Sequence, residues 1–171
     1  MPAPPDPEIA AAVLEPHFFA VRDVFLDFDG DSLGRLRRTR LVVDPTVHDS
    51  ERHYAACRDD GMLILVAPEA VDLPVENLTA IFAHELGHAA DFAYPAQWVT
   101  LGPGDDAIWI GDRDDKIARK WRKLWAGRSD DQIEWAADAI AGEVTGQDIE
   151  YCGDCMLQCF SGGKSRPGGL R

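Results

Sequence analysis

The stretch "IFAHELGHAADF", residues 81–92, decides how this chain is read. It sets His84 and His88 four residues apart, with Glu85 next to the first. On an α-helix, residues i and i+4 lie one turn apart on the same side, so both imidazoles can reach one ion. Two imidazole nitrogens suit zinc. The surrounding "LPVENLTAIFAHELGHAADFAY" is the strongest helix signal in the chain, starting near Pro74 and stopped by Pro95. Leu78, Phe82, Leu86, Ala89 and Ala93 fall on one stripe, the expected core face. Asn77, Ile81, His84, His88 and Asp91 fall on another. Glu85 lies between the two, where a base could take a proton from a metal-bound water. Gly87 costs the helix up to about 1 kcal/mol relative to alanine, which a close approach to the backbone would explain.

Two histidines on a helix are equally at home as satisfied core or surface residues, so a third ligand decides. "QIEWAADAIAGEV" places Glu134 and Asp138 four apart on a later helix, with Ala137 and Ala141 small enough for the two helices to close. Glu134 is the expected third ligand, with a fourth position left for water as in a catalytic zinc site. Asp138 is expected to accept a hydrogen bond from the distal nitrogen of a ligand histidine. The alternative is that both are exposed acids of an acidic protein. Asp91 lies about 10 Å along the axis from His84, too far to share its ion. It is expected behind the ligands or on the helix surface.

Composition narrows the class. A chain of 171 residues, 46% hydrophobic and 27% charged, fits one globular domain. Thirty acidic against 17 basic residues give a net charge of −13, which disfavours nucleic acid. The basic run "KIARKWRKLWAGR", Lys116 to Arg128, predicts a solvated helix face with Trp121, Leu124 and Trp125 turned inward. No apolar run approaches the ~20 residues of a membrane span. The proline-rich, acidic start lacks the features of a signal peptide, so a soluble cytoplasmic protein is expected.

Along the chain, a helix is predicted over 7–20, strands over 23–28, 38–44 and 61–68, and helices over 74–94, 114–126 and 130–145. Residues 45–60 are ambiguous, 95–113 read as a Gly, Pro and Asp-rich connection, and the tail 161–171 is expected to be mobile. A single domain over 1–146, with its motif core at about 60–146, precedes a cysteine-containing segment at 147–171.

His84, Glu85, His88, Glu134 and Asp138 together resemble the gluzincin pattern "HExxH…ExxxD" of zincin metallopeptidases. "AHELGHA" with "EWAADAIA" is closer still to the small ImmA/IrrE-like metallopeptidases and minigluzincins of bacteria and their phages. The resemblance covers about residues 60–146. It implies an α+β zincin-like fold, a small mixed sheet packed on the active-site helix. It also implies zinc held by His84, His88 and Glu134, with Glu85 as general base in peptide-bond hydrolysis. "GMLILVAP" would be the edge strand that pairs with extended substrate. Gluzincins also use a His or Tyr to stabilise the oxyanion; Tyr94, Tyr151, His53 and Tyr54 are the candidates, each also readable as structural.

"VFLDFDGD" and "IWIGDRDD" resemble motifs of haloacid-dehalogenase-type phosphatases, with Asp27 as nucleophile, Asp29 as acid and Asp112 as magnesium ligand. That chemistry needs a lysine between the motifs, and residues 30–110 contain none. "DFDGD" also echoes a calcium loop, but Arg38 stands where the bidentate glutamate belongs. Cys57, Cys152, Cys155 and Cys159 could form a second metal or redox site, or simply pack. The function expected is a zinc metallopeptidase of narrow intracellular specificity acting on a protein or peptide, with no nucleic-acid or membrane partner. The rival from another class is a zincin-shaped regulator that binds a partner, such as a repressor, without cutting it.

Overall fold

Ala10, Leu14, Phe18, Val21 and Phe25 recur every three or four positions, and all five are buried on one side of helix α1 (Pro7–Asp27) in a computed structural model of the chain. The structure describes residues 5–28, 33–47, 54–100, 102, 104, 106–152 and 157–160. Asp6 caps α1 by accepting the backbone N–H groups of Glu8 and Ile9. The stretch 23–28, predicted as a strand, is therefore mostly the last turns of α1. Val21 and Phe25 continue its helical period through Pro16 to the core, and that burial outweighs the β-favouring composition.

A 3₁₀ turn over Gly34–Arg38 leads into strand β1 (Arg40–Val43), followed by β2 (Ala55–Arg58) and β3 (Leu63–Val66). The order is β1-β3-β2, with β3 parallel to β1 (Arg40 opposite Leu63) and antiparallel to β2 (Ala55 opposite Val66). The apolar stretch, a buried strand by its composition and an edge strand by the resemblance, is thus buried and at the centre of the sheet. Its residues Ile64 and Val66 are fully buried, and the ambiguous region supplied the edge strand β2.

Helix α2 (Val75–Ala93) carries the opening motif. A two-faced helix was the expectation, yet every residue from Ala80 to Asp91 is buried, because neighbours cover α2 on all sides. Phe18 of α1 meets Phe82 edge-on at 5.8 Å. The β2–β3 turn presses its Gly61 against Ala89, so closely that a Cβ would lie 2.8 Å from the Ala89 Cα; Gly61 also holds φ at +85°. Strands β4 (Trp98–Val99) and β5 (Ile108–Trp109) turn the polar connection into a hairpin, with Trp98 against Trp109 at 4.9 Å.

Helix α3 (Lys116–Trp125) starts at an Asp115 cap, and α4 (Asp130–Thr145) at a Ser129–Gln132 capping box. Contrary to expectation, Leu124 points outward at 57% exposure. The inward face of α3 is centred on buried Ala118, which draws in Trp121 and Trp125 and leaves Leu124 on the far side. Strands β6 (Ile149–Cys152) and β7 (Leu157–Phe160) pair antiparallel, and Asn77 of α2 donates to the Gln158 carbonyl at 3.4 Å. The chain is therefore mixed α+β, with four α-helices and three small sheets among the described residues. Among those residues no helix is long and apolar enough to cross a membrane.

Candidate metal centre

The centre exists because α2 and α4 come unusually close. A Cβ on Gly87 would lie 2.3 Å from the Ala137 carbonyl oxygen, so glycine is the residue that lets the two backbones touch. Ala136, Ala137 and Ala141 of α4 are buried at this crossing. One turn before Ala137, Glu134 then projects over the α2 histidines.

Glu134 Oε2 lies 3.1 Å from His84 Nε2, and Glu134 Oε1 lies 3.4 Å from His88 Nε2. The two Nε2 atoms are 3.1 Å apart. Ligands about 2.05 Å from a tetrahedral zinc stand about 3.3 Å from one another; the three separations are each close to that, the two to Glu134 running to its two different carboxylate oxygens. Among the described residues this is the one cluster of metal-ligating side chains, its ligand atoms all within 4.8 Å. His84 and His88 are buried while Glu134 is 57% exposed, so the open side of the cluster faces outward past Glu134.

Asp138 stands one turn further along α4 and meets His84 Nδ1 at 2.7 Å. A carboxylate there accepts the Nδ1 hydrogen and leaves the Nε2 lone pair aimed at the cluster. His84 Nε2 then faces a carboxylate oxygen and a second imidazole nitrogen, which only a proton or a cation can reconcile. Burial opposes charge on His84, but the Asp138 and Glu134 carboxylates outweigh it and raise its pKa to about 10. Reciprocally, His84 and His88 hold the Glu134 carboxyl well below the usual carboxylate range. The metal-free cluster is thus a proton trap of the kind a divalent ion would displace.

Glu85, the expected base, is 7% exposed beside His84. Its other electrostatic neighbour is Cys57 of β2, whose thiol is pushed up to about 12 by burial and by the Glu85 charge. Cys57 is a free thiol kept in its neutral form, and its place at the Glu85 side was hidden in an ambiguous stretch of sequence. Asp91, expected behind the ligands or on the surface, does neither. It is buried, accepts from Trp125 Nε1 at 3.1 Å and pairs with Arg128 Nη2 at 2.7 Å. No spacing pattern in the sequence signals that pair.

Of the oxyanion candidates, Tyr94 is occupied in the core: its hydroxyl accepts the Arg35 backbone N–H at 3.0 Å and its ring packs on Trp109. Tyr54 is half-buried against the core at the start of β2. His53 and the Tyr151 side chain lie outside the described residues. So do Cys155 and the Cys152 side chain; Cys159 Sγ accepts from Asn77 Nδ2 at 3.4 Å. Asp27 ends a helix instead of a strand, which removes the platform a dehalogenase-type nucleophile stands on, Asp29 lies outside the described residues, and Asp112 accepts from Gln97 at 2.8 Å.

Comparison with models of known families, with curated proteins and with solved structures gives no match.

Proposed function

We propose that this chain is a zinc-dependent metallopeptidase with a zincin-like fold of the gluzincin type, closest in pattern to the small ImmA/IrrE-like enzymes and minigluzincins. One observation carries the reading: His84, His88 and Glu134, from two helices, converge with ligand atoms within 4.8 Å of one another and with Asp138 behind His84. The donor set fits zinc, since two imidazole nitrogens and one carboxylate leave the fourth position that a catalytic site keeps open. Zinc, when bound there, would lower the pKa of a water to near 7 and polarise the scissile carbonyl.

The remaining roles belong to the chain. Asp138 fixes the His84 tautomer and ring orientation. Glu85 takes the proton of the attacking water and passes it to the leaving amine. Its burial keeps bulk water from competing for that proton. Strand β2 pairs with β3 on one side, and its outer edge is where an extended peptide would add as a further strand. This moves the substrate-pairing role from β3, where the sequence had put it, to β2.

Metal content and peptide hydrolysis of the wild type, Glu134→Ala and Glu85→Gln test the reading. About one zinc per wild-type chain, near none in Glu134→Ala, and retained zinc with lost hydrolysis in Glu85→Gln are expected. Full zinc in Glu134→Ala, or undiminished cleavage by Glu85→Gln, would overturn it. A regulator that binds without cutting would keep its effect on the partner in Glu85→Gln.

A further inference from the structure

The chain contains four lysines, and three of them, Lys116, Lys120 and Lys123, lie on the ten-residue helix α3. At 100° per residue these three fall on one row, immediately beside Ile117 and Leu124. All five are exposed, Ile117 at 64% and Leu124 at 57%. The arginines nearby are engaged: Arg119 and Arg122 reach Asp114 at 3.5 Å, and Arg113 pairs with Asp115. The three lysines enter no ion pair among the described residues. An unpaired cationic row next to two bare aliphatic side chains, in a chain of net charge −13, is a local inversion of the protein's surface chemistry.

Its place matters as much as its composition. On the inward side Trp125 donates to Asp91, which sits three residues, or about 4.5 Å of helix, beyond His88. Helix α3 is therefore anchored to α2 about one turn beyond the ligand His88, with the lysine row on its outward side.

We propose that this face docks a short polypeptide segment combining acidic and apolar residues, and that it thereby selects which substrate reaches the centre. The lysine row attracts the carboxylates, while Ile117 and Leu124 desolvate against the apolar side chains. A nucleic-acid strand fits less well. The row is about 10 Å long, and exposed Asp112, Asp114 and Asp115 stand at one end, with Asp130 and Asp131 at the other. A phosphodiester chain running past either end meets like charge, whereas a segment of a few residues does not. The docking half of the proposal stands on α3 alone; the selecting half rests on the proposed peptidase reading.

The test uses full-length Glu85→Gln protein, so that binding is read without turnover. The probe is a fluorescein-labelled eight-residue peptide with Leu at every third or fourth position and Glu or Asp elsewhere, followed by anisotropy. Controls are the same peptide with Gln for each acid, and a labelled oligothymidylate. Binding of the acidic peptide is expected, weakened about ten-fold by Lys116→Glu/Lys120→Glu/Lys123→Glu and, separately, by Ile117→Ser/Leu124→Ser. It should also fall with added salt, and both exposed variants should keep the parent's circular dichroism. Equal binding by parent and both variants would overturn the proposal. So would tighter binding of the oligothymidylate, or a dimer that the triple reversal dissociates, which would make the occupant a second copy. Docking by Glu85→Gln with no peptidase activity in the wild type would sink the peptidase reading and spare the docking surface. Zinc-dependent cleavage indifferent to the α3 variants would sink the selecting half and spare the peptidase reading.

Discussion

Replacing Gly87 with alanine sets two physical effects against each other at the crossing that builds the centre. Helix propensity alone favours the substitution by about 1 kcal/mol. The crossing opposes it, because the new Cβ would sit 2.3 Å from the Ala137 carbonyl oxygen, a backbone atom with no side-chain freedom to yield. Restoring ordinary contact requires α4 to retreat by about 1 Å, at the ~1–3 kcal/mol typical of overpacking. That retreat carries Asp138 with it, and its 2.7 Å bond to His84 Nδ1 is too short-armed to stretch that far. Losing such support weakens zinc binding about 10–100-fold. Glu134 rides on the same helix, and metal-site geometry tolerates only about 0.2 Å. The zinc Kd of Gly87→Ala, measured by competition with a chromophoric chelator, should therefore rise at least ten-fold. The metal-free melting temperature should fall by a few degrees, at about 2–4 °C per kcal/mol for a chain of this size. An unchanged Kd together with a higher melting temperature would show that helix propensity wins and that the close approach is not what positions the ligands.

Asp138→Ala should lower zinc affinity by about 10–100-fold while leaving the three ligands in place, as read by the same competition. The pKa of His84 lies at about 10 in the fold, above its ordinary 6.5, so its charge stabilises the metal-free protein fully below about pH 6.5 and progressively less as pH rises toward 10. Metal-free melting temperatures should accordingly drop over that window, and the drop should shrink in Asp138→Asn. Asp91→Ala leaves Arg128 buried without its carboxylate and should cost about 3–5 kcal/mol, read from urea midpoints, with Asp91→Asn costing less because it keeps an acceptor for Trp125. A shift under about 1 kcal/mol for Asp91→Ala would mean the pair is already screened by water.

The parts of this structure legible in the sequence are those written locally. His84, Glu85 and His88 share a turn by helical arithmetic, and the Glu134–Asp138 spacing repeats it on a second helix; the structure brings the two sets together. Gly87 announced a close approach, and the approach is the Ala137 carbonyl. What escaped was set by long-range packing. Whether "DVFLDF" forms helix or strand depends on Phe25 having a core to enter, and whether β3 is central depends on β1 and β2, 20 residues before it or in a polar stretch. The direction of Leu124 turned on the small Ala118 beside it. The Asp91–Arg128 pair joins residues 37 apart with no periodic relation.

A helix enclosed from Ala80 to Asp91 leaves the chain little freedom there to explore new sequence. Any enlargement along those positions collides with a neighbour, and any truncation opens a void at the molecule's centre. Divergence in target preference must therefore be confined to pieces hung around that axle, such as the β2 rim, the Trp98–Trp109 hairpin and the lysine-bearing helix. Such a molecule can change what it recognises quickly while its interior stays nearly fixed.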